Sequence, residues 1–256
     1  MSVALKVEGL TRRFGGLTAV DRVNAEFSSG TLHAIIGPNG AGKTTFFNLI
    51  SGFIRPDAGR VTFTGRDISG LKPHAISRLG MARTLQIKSV FSQMTVAENV
   101  WIAAQARLPW LHPLRPASSY RETDEKVARI LEEVGLAHLA KRQAGTLSYG
   151  DVALLELGIA LASEPKLLLL DEPICGMSPS ETTRTVAKIR ELSAKVDIIL
   201  IEHDMEVVFD VAEDITVMAQ GAILARGGPR AIADDERVRE AYLGTPDDDL
   251  PEGGHA

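Results

Sequence analysis

The sequence predicts an α/β fold: a mostly parallel sheet around a phosphate-binding loop, with an antiparallel N-terminal β subdomain and a helical insertion. Three observations carry that reading. Short apolar runs alternate with helix-like stretches over most of the 256 residues, as they do in parallel sheets. The apolar run Leu32-His33-Ala34-Ile35-Ile36 leads into Gly37-Pro38-Asn39-Gly40-Ala41-Gly42-Lys43-Thr44-Thr45, which is G-x-x-x-x-G-K-[ST] between a strand and a helix. From Thr95 to Arg142 the apolar period becomes helical.

The elements follow in order. Val3 to Val7 and Val20 to Phe27 alternate polar and apolar residues, the pattern of half-buried strands. Arg12 to Gly16 reads as the turn between them. Thr31 to Ile36 is a buried strand feeding the glycine loop, and a helix begins near Lys43. Pro56-Asp57-Ala58-Gly59 is a turn signal before a short strand, Arg60 to Thr64. His74 to Leu79 reads as helix and Ala82 to Leu85 as a strand end.

In the insertion, Val96, Asn99, Val100 and Ala103 share one helix face, and Val127, Ile130, Leu131 and Val134 share another. The prolines at 109, 113 and 116 exclude one continuous helix between them. Trp110, in that stretch, is either a cap on the subdomain's core or a partner contact. Val152 to Ala162 is an apolar helix, Lys166 to Leu170 a buried strand, and Ser180 to Ser193 an amphipathic helix. Asp197 to Ile201, Asp214 to Met218 and Ala222 to Ala225 are further strands. Residues 1–244 form one domain, with a helical subdomain over about 95–163. The acidic tail, 245–256, is expected to be disordered.

Composition narrows the function. A net charge of −5 argues against non-specific binding to nucleic acid or to an anionic membrane surface. Cys175 is the single cysteine, so no intrachain disulfide forms and a reducing compartment is expected. The N-terminus lacks the basic and apolar regions of a signal peptide. The apolar run near Leu167 to Leu170 is far too short to span a bilayer, so work at a membrane would go through a partner.

The glycine loop is the centre of the chemistry. Its glycines let consecutive backbone N–H groups curl round a phosphate, and the following helix adds its N-terminal dipole. Lys43 supplies a charge to the β and γ phosphates, and the Thr44 hydroxyl can hold Mg²⁺. The apolar strand Leu167 to Leu170 ends in Asp171 and Glu172. The first carboxylate is placed to hold Mg²⁺ at the sheet's C-terminal edge, and the second to accept a proton from an attacking water. In Leu147-Ser148-Tyr149-Gly150-Asp151, Ser148 reads as a helix N-cap with Asp151 in the first turn. The sharper alternative makes Ser148 and Gly150 a second phosphate-binding helix terminus.

Together these motifs resemble the ATP-binding subunits of ATP-binding-cassette (ABC) transporters, in order and spacing and over nearly the whole chain. The resemblance implies a P-loop NTPase core of the ABC-ATPase type, with ATP and Mg²⁺ as ligands. Gln86 stands at the family's Q-loop, Gly176-Met177-Ser178-Pro179 at its D-loop, and His203 at its switch histidine. By the resemblance, Phe14 stacks on adenine, and residues Gly37 to Thr45 cradle the phosphates. Gln86, Thr44 and Asp171 hold the metal. Lys43, Gln86, Glu172 and His203 serve hydrolysis. Ser148 and Gly150 contact the γ phosphate bound to a second subunit, which implies an ATP-sandwiched dimer of identical or paralogous chains. Asp151 departs from the family, many of whose members carry Gln or Glu there.

Softer features point to a branch. Arg12 to Asp21, Arg83-Thr84-Leu85-Gln86, Glu202-His203-Asp204-Met205 and Glu240-Ala241-Tyr242-Leu243-Gly244 resemble ATPases of branched-chain amino acid importers. That branch implies two membrane permease subunits, an extracytoplasmic solute-binding protein, and a peripheral place on the cytoplasmic face of the inner membrane. Urea, amides and carboxylates stay open as alternative solutes. A soluble ABC ATPase without a transporter is the alternative of another class.

Overall fold

A computed structural model describes residues 3–84, 90–105 and 120–243 of the chain. Gln86, the Pro-rich stretch with Trp110, and the acidic tail lie outside the described residues. The first sheet is antiparallel. β1 (Val3–Phe14) and β2 (Leu17–Ser28) form a long hairpin, and β4 (Ala58–Phe63) and β5 (Arg66–Asp67) complete the order β2-β1-β4-β5. The hairpin corrects the expected turn at Arg12 to Gly16: β1 runs on to Phe14, which pairs with Leu17, leaving only Gly15 and Gly16 to turn. The two arginines stay extended because Asp57 holds them, through Arg12 Nη1 at 2.8 Å and the Arg13 backbone N–H at 2.7 Å.

The second sheet has the order β10-β9-β3-β8-β7-β6. Its strands are β3 (Leu32–Ile36), β6 (Met81–Arg83), β7 (Leu167–Asp171), β8 (Asp197–Ile201), β9 (Asp214–Ala219) and β10 (Ala222–Gly227). All neighbours are parallel except the β9–β10 edge pair. Both faces are covered, which is why β7 reads as unbroken leucine. Leu168 and Leu170 pack on one side with Ala34, Ile36, Ile198 and Leu200. Leu167 and Leu169 pack on the other with Ile35, Ile199 and Ile201. That second side rests on α1 (Lys43–Ile50), through Phe46, Phe47 and Ile50, and on the antiparallel sheet, through Leu5, Val7, Phe27 and Val61.

The first side carries α6 (Pro179–Ser193) and the helical insertion. In the insertion α3 (Val96–Gln105) and α4 (Arg121–Glu133) pack against α5 (Tyr149–Leu161). Val96, Asn99, Val100, Val127, Ile130, Leu131 and Val134 are buried as their spacing predicts. Gly158 of α5 faces the other two helices: a Cβ there would make ordinary van der Waals contact, 3.5 to 3.6 Å from methyls of Ile130, Val134 and Val100. Four shorter helices complete the chain: α2 (Pro73–Leu79), α7 (Met205–Val211), α8 (Pro229–Ala233) and α9 (Glu236–Leu243). No helix among the described residues is long and apolar enough to cross a membrane.

Parallel strands bring their C-terminal ends to one edge, and one carboxylate there is wholly buried. Glu202, just past β8, accepts the N–H of Ile174 at 3.2 Å and that of His203 at 3.2 Å, so it laces the β7–α6 connection to the β8–α7 connection. Burial pushes its carboxyl up to about 7 against the pull of those two N–H groups. The folded chain therefore keeps this proton longer than the unfolded chain does. Glu202 is expected to cost stability as pH rises from about 4.5 to about 7, by on the order of 3 kcal/mol at most. Urea midpoints of the native chain minus those of Glu202→Gln, taken from pH 4 to 8, should fall across that window. A flat difference curve would remove Glu202 as the source.

Candidate functional site

The glycine loop connects β3 to α1 and is pressed between two strands. A Cβ on Gly37 would stand 2.1 Å from the Met218 carbonyl oxygen of β9, and one on Gly42 would stand 2.3 Å from the Ala19 carbonyl oxygen of β2. Gly42 also has a φ of 96°, in the left-handed region, so both sterics and conformation demand glycine there. Gly221, in the β9–β10 turn, ties the assembly together: its N–H donates to Ala41 at 3.1 Å and its carbonyl accepts from Asp21 N–H at 2.8 Å.

α1 starts on Gly42, with no side-chain cap and no acidic residue in its first turn. By contrast α5 and α7 start on Ser148 and Asp204, each of which accepts a backbone N–H, and α6 on the capping box of Ser178. An uncapped helix start under a glycine loop is a cradle for an anion. Lys43 is buried inside it and donates from Nζ to the carbonyls of Gly37 and Pro38. Burial lowers its pKa, and the charges of Glu172 and Asp171 act in the opposite direction. Asn39, Gly40 and Thr44 are exposed on the rim; Pro38 and Thr45 are half-buried.

Asp171 closes β7 and is buried. Its Oδ2 accepts from Arg83 Nη2 at 2.8 Å, while its Oδ1 is buried with no hydrogen-bond partner among the described residues. Burial raises the Asp171 pKa, and Arg83 opposes the rise. Arg83 also donates to Asn48 Oδ1 at 2.8 Å and Ser51 Oγ at 2.9 Å on α1, and its guanidinium lies over the rings of Phe47 and Phe53. An orphaned carboxylate oxygen beside the Lys43 and Thr44 end of α1 fits a hard divalent cation that keeps most of its waters. No cluster of three or more His, Cys, Asp or Glu side chains among the described residues could hold a metal alone. A cation here would therefore share its coordination with a bound phosphate.

Glu172 follows with φ 49°, a left-handed conformation uncommon for a non-glycine residue. Its N–H donates to the Ile201 carbonyl at 3.0 Å, which fixes the bend. Strain of this kind concentrates at functional sites. The Glu172 carboxylate lines a cleft with Asp171, Thr84, Tyr149 and Cys175. His203 lies two residues beyond Ile201, the partner of Asp171. Its ring is exposed, with Nδ1 3.8 Å from Glu202 Oε2.

The remaining candidates sit elsewhere. Phe14 is exposed at the tip of the β1–β2 hairpin, with the Arg12 guanidinium 4.8 Å from its ring centre. Ser148 caps α5, its Oγ accepting Asp151 N–H at 3.3 Å, and Gly150 N–H donates to Glu181 of α6 at 3.1 Å. Both therefore face α6 rather than the glycine loop. Asp151, the departure from the family pattern, pairs with Arg184 of α6 at 2.6 Å, a reach that suits its short side chain.

Three contributors escaped the sequence reading of the site. Arg83 could have been suspected as a cation at the end of an edge strand. Glu181 is announced by the capping-box pattern Ser178-x-x-Glu181. Tyr242 of α9 is half-buried, and burial pushes its hydroxyl up to about 12 against the opposing pull of the Gly37 backbone. No sequence signal places it near the loop.

The comparisons with known proteins agree along the chain. Residues 20–175 match the family model described as ABC transporter, and residues 222–248 match that of the branched-chain amino acid ATP-binding cassette transporter. The high-affinity branched-chain amino acid transport ATP-binding protein BraF of Pseudomonas aeruginosa is 42% identical over 248 residues, covering 94% of this chain and 97% of the relative. The corresponding LivG protein of Escherichia coli K12 is 40% identical, with 94% and 97% covered. A solved nucleotide-free ATP-binding cassette from an ABC transporter superposes with a TM-score of 0.85 at 34% identity, covering 95% of this chain and 100% of that one. An ADP conformation of an ABC-transporter cassette gives 0.84 at 34%, with 96% and 100% covered. A loop that only glycine can form, a carboxylate pair at the adjoining strand end and a likeness that runs nearly end to end have one common source: this chain belongs to the ATP-binding cassettes of ABC transporters, the ATPases of those machines.

Proposed function

We propose that this chain is the ATP-hydrolysing subunit of an importer for branched-chain or related amino acids. It would work as a peripheral subunit on the cytoplasmic face of the inner membrane, beneath two permease subunits served by a solute-binding protein. The observation that supports the amino-acid reading is the match of residues 222–248 to the branched-chain amino acid cassette model, outside the region that all ABC cassettes share. Urea, amides and other carboxylates remain the competing solutes, because cargo is chosen by subunits other than this one.

In this reading the loop from Gly37 to Thr45 wraps the β and γ phosphates, and Phe14 stacks on the base. Lys43 exchanges its bonds to the Gly37 and Pro38 carbonyls for phosphate oxygens. Thr44 and the free Oδ1 of Asp171, with Gln86, would hold Mg²⁺, which when bound would offset phosphate charge. Glu172 takes the proton of the attacking water as it adds in line to the γ phosphorus. His203 donates a hydrogen bond to the γ phosphate from the β8 end, with its backbone pinned by Glu202. Ser148 and Gly150 bind the γ phosphate held by a second subunit, which closes a dimer over two nucleotides. Hydrolysis reopens it, and the helical insertion passes the motion to the permeases.

Lys43→Ala should weaken nucleotide binding about ten- to a hundredfold, roughly 1.4 to 2.8 kcal/mol, measured by calorimetry with MgATP. Glu172→Gln should lower the hydrolysis rate at least about a hundredfold while leaving nucleotide affinity in place. It should also accumulate as an ATP-bound dimer on size exclusion, since the phosphate contacts stay and the base is gone. A Glu172→Gln protein that binds MgATP at saturation yet stays monomeric counts against the sandwich. For the partners, tagged chain drawn from detergent-solubilised native membranes should carry two hydrophobic permeases and a paralogous cassette. Recovery of soluble partners alone, with control transporters intact, supports a non-transport ATPase instead.

A further inference from the structure

Gly150 and Ser148 are the groups that the sandwich reading assigns to a γ phosphate arriving from a second subunit. In the single chain both are already engaged by one carboxylate. Glu181, in the first turn of α6, divides its two oxygens between two helices. Oε2 accepts the Ser178 backbone N–H at 3.0 Å and the Ser178 hydroxyl at 2.7 Å, which completes the capping box of its own helix. Oε1 crosses to α5 and accepts the Gly150 N–H at 3.1 Å.

The fit is close. A Cβ on Gly150 would stand 2.9 Å from Glu181 Cβ, so only glycine lets the two helices approach this far. Gly150 is buried while its neighbours Ser148 and Tyr149 are exposed. The hydroxyls of Ser178 and Ser148, with the N–H groups of Ser178 and Gly150, hold the Glu181 carboxyl down at about 2, so it is an anion at any physiological pH. The other charges at this helix start, Asp151 and Arg184, are paired with each other. Glu181 is thus an anion held by hydrogen bonds at the starts of α5 and α6, with no salt bridge of its own among the described residues.

We propose that Glu181 is an internal occupant of the anion site at Ser148 and Gly150, which the γ phosphate of the opposing subunit must displace before the dimer closes. The proposal rests on the ATP-sandwich reading given above. A phosphate cannot take the Gly150 N–H while a carboxylate holds it, and two anions so close repel each other. Displacement needs no unfolding. A change in the Glu181 side-chain torsions is enough to move the carboxylate off Gly150. The device sets a threshold: the Ser148 and Gly150 site stays satisfied and closed in the free subunit and opens only to a more highly charged competitor.

The test compares Glu172→Gln with the double variant Glu172→Gln, Glu181→Gln. Glutamine preserves the capping box and removes the charge. Dimer formation is followed by sedimentation velocity over a MgATP titration, with thermal midpoints confirming that both variants fold. The double variant should dimerise about tenfold more tightly. MgATP binding, measured at dilutions where both are monomers, should be unchanged, because Glu181 does not face its own glycine loop. Equal or weaker dimerisation of the double variant, beside a dimerising Glu172→Gln, overturns the proposal and reduces Glu181 to a helix cap. Failure of both variants to dimerise while they bind MgATP overturns the sandwich reading and the proposal with it. The two failures are therefore distinct.

Discussion

A carboxylate at the end of a strand that is apolar on both faces has to be neutralised, and the architecture turns on how that is done. Arg83 supplies the countercharge to Asp171 from the neighbouring strand β6, at 2.8 Å and with both side chains almost fully buried. The same guanidinium reaches back to Asn48 on α1 and to Ser51 at its C-cap, and lies over the rings of Phe47 and Phe53. One buried cation thus joins the Asp171 carboxylate, the helix that follows the glycine loop, and the edge strand. Removing either partner would leave a lone charge in a dry site, which costs several kcal/mol. Because one of the two Asp171 oxygens has no hydrogen-bond partner among the described residues, the pair is neutral enough to fold and keeps an oxygen to offer a cation.

What the sequence discloses follows the range of the interaction. The glycine loop, the leucine strand and the insertion's helical faces are local patterns, and they appear where the spacing puts them. The hairpin tip was misplaced because Arg12 and Arg13 look like turn residues until Asp57, far along the chain, is seen to hold them. The roles of Arg83, Glu181 and Tyr242 are hidden for the same reason: a strand-end cation and a capping box are legible in the sequence, but the groups they act on, Asp171, Gly150 and Gly37, are brought near only by the fold. Asp151 shows the reverse. Its departure from the family pattern is legible in the sequence, but its explanation, the pairing with Arg184, is tertiary. Gln86, whose role came from resemblance, lies outside the described residues.

The two halves of the proposed composite site differ in how their helix starts are treated. α1 begins bare, under glycine, with a buried lysine turned onto its own loop carbonyls. α5 begins capped by Ser148 and covered by a carboxylate from the adjoining helix. The first arrangement suits a ligand that binds within the chain. The second suits one that must compete for its place. Glu202 stands between the two connections that carry Glu172 and His203, and its backbone bonds keep those loops in step.

The weld between the glycine loop and the antiparallel sheet has a geometric consequence. Ala19 abuts Gly42 so tightly that a methyl group could not be inserted, and Gly221 bonds the loop to the same strand. The β1–β2 hairpin then runs as paired strands from that contact to Phe14 at its tip. The exposed ring and the anion cradle are therefore set apart by a length of hairpin, like the two jaws of a caliper. A ligand that engages both is gauged by its length before any contact tests its chemistry.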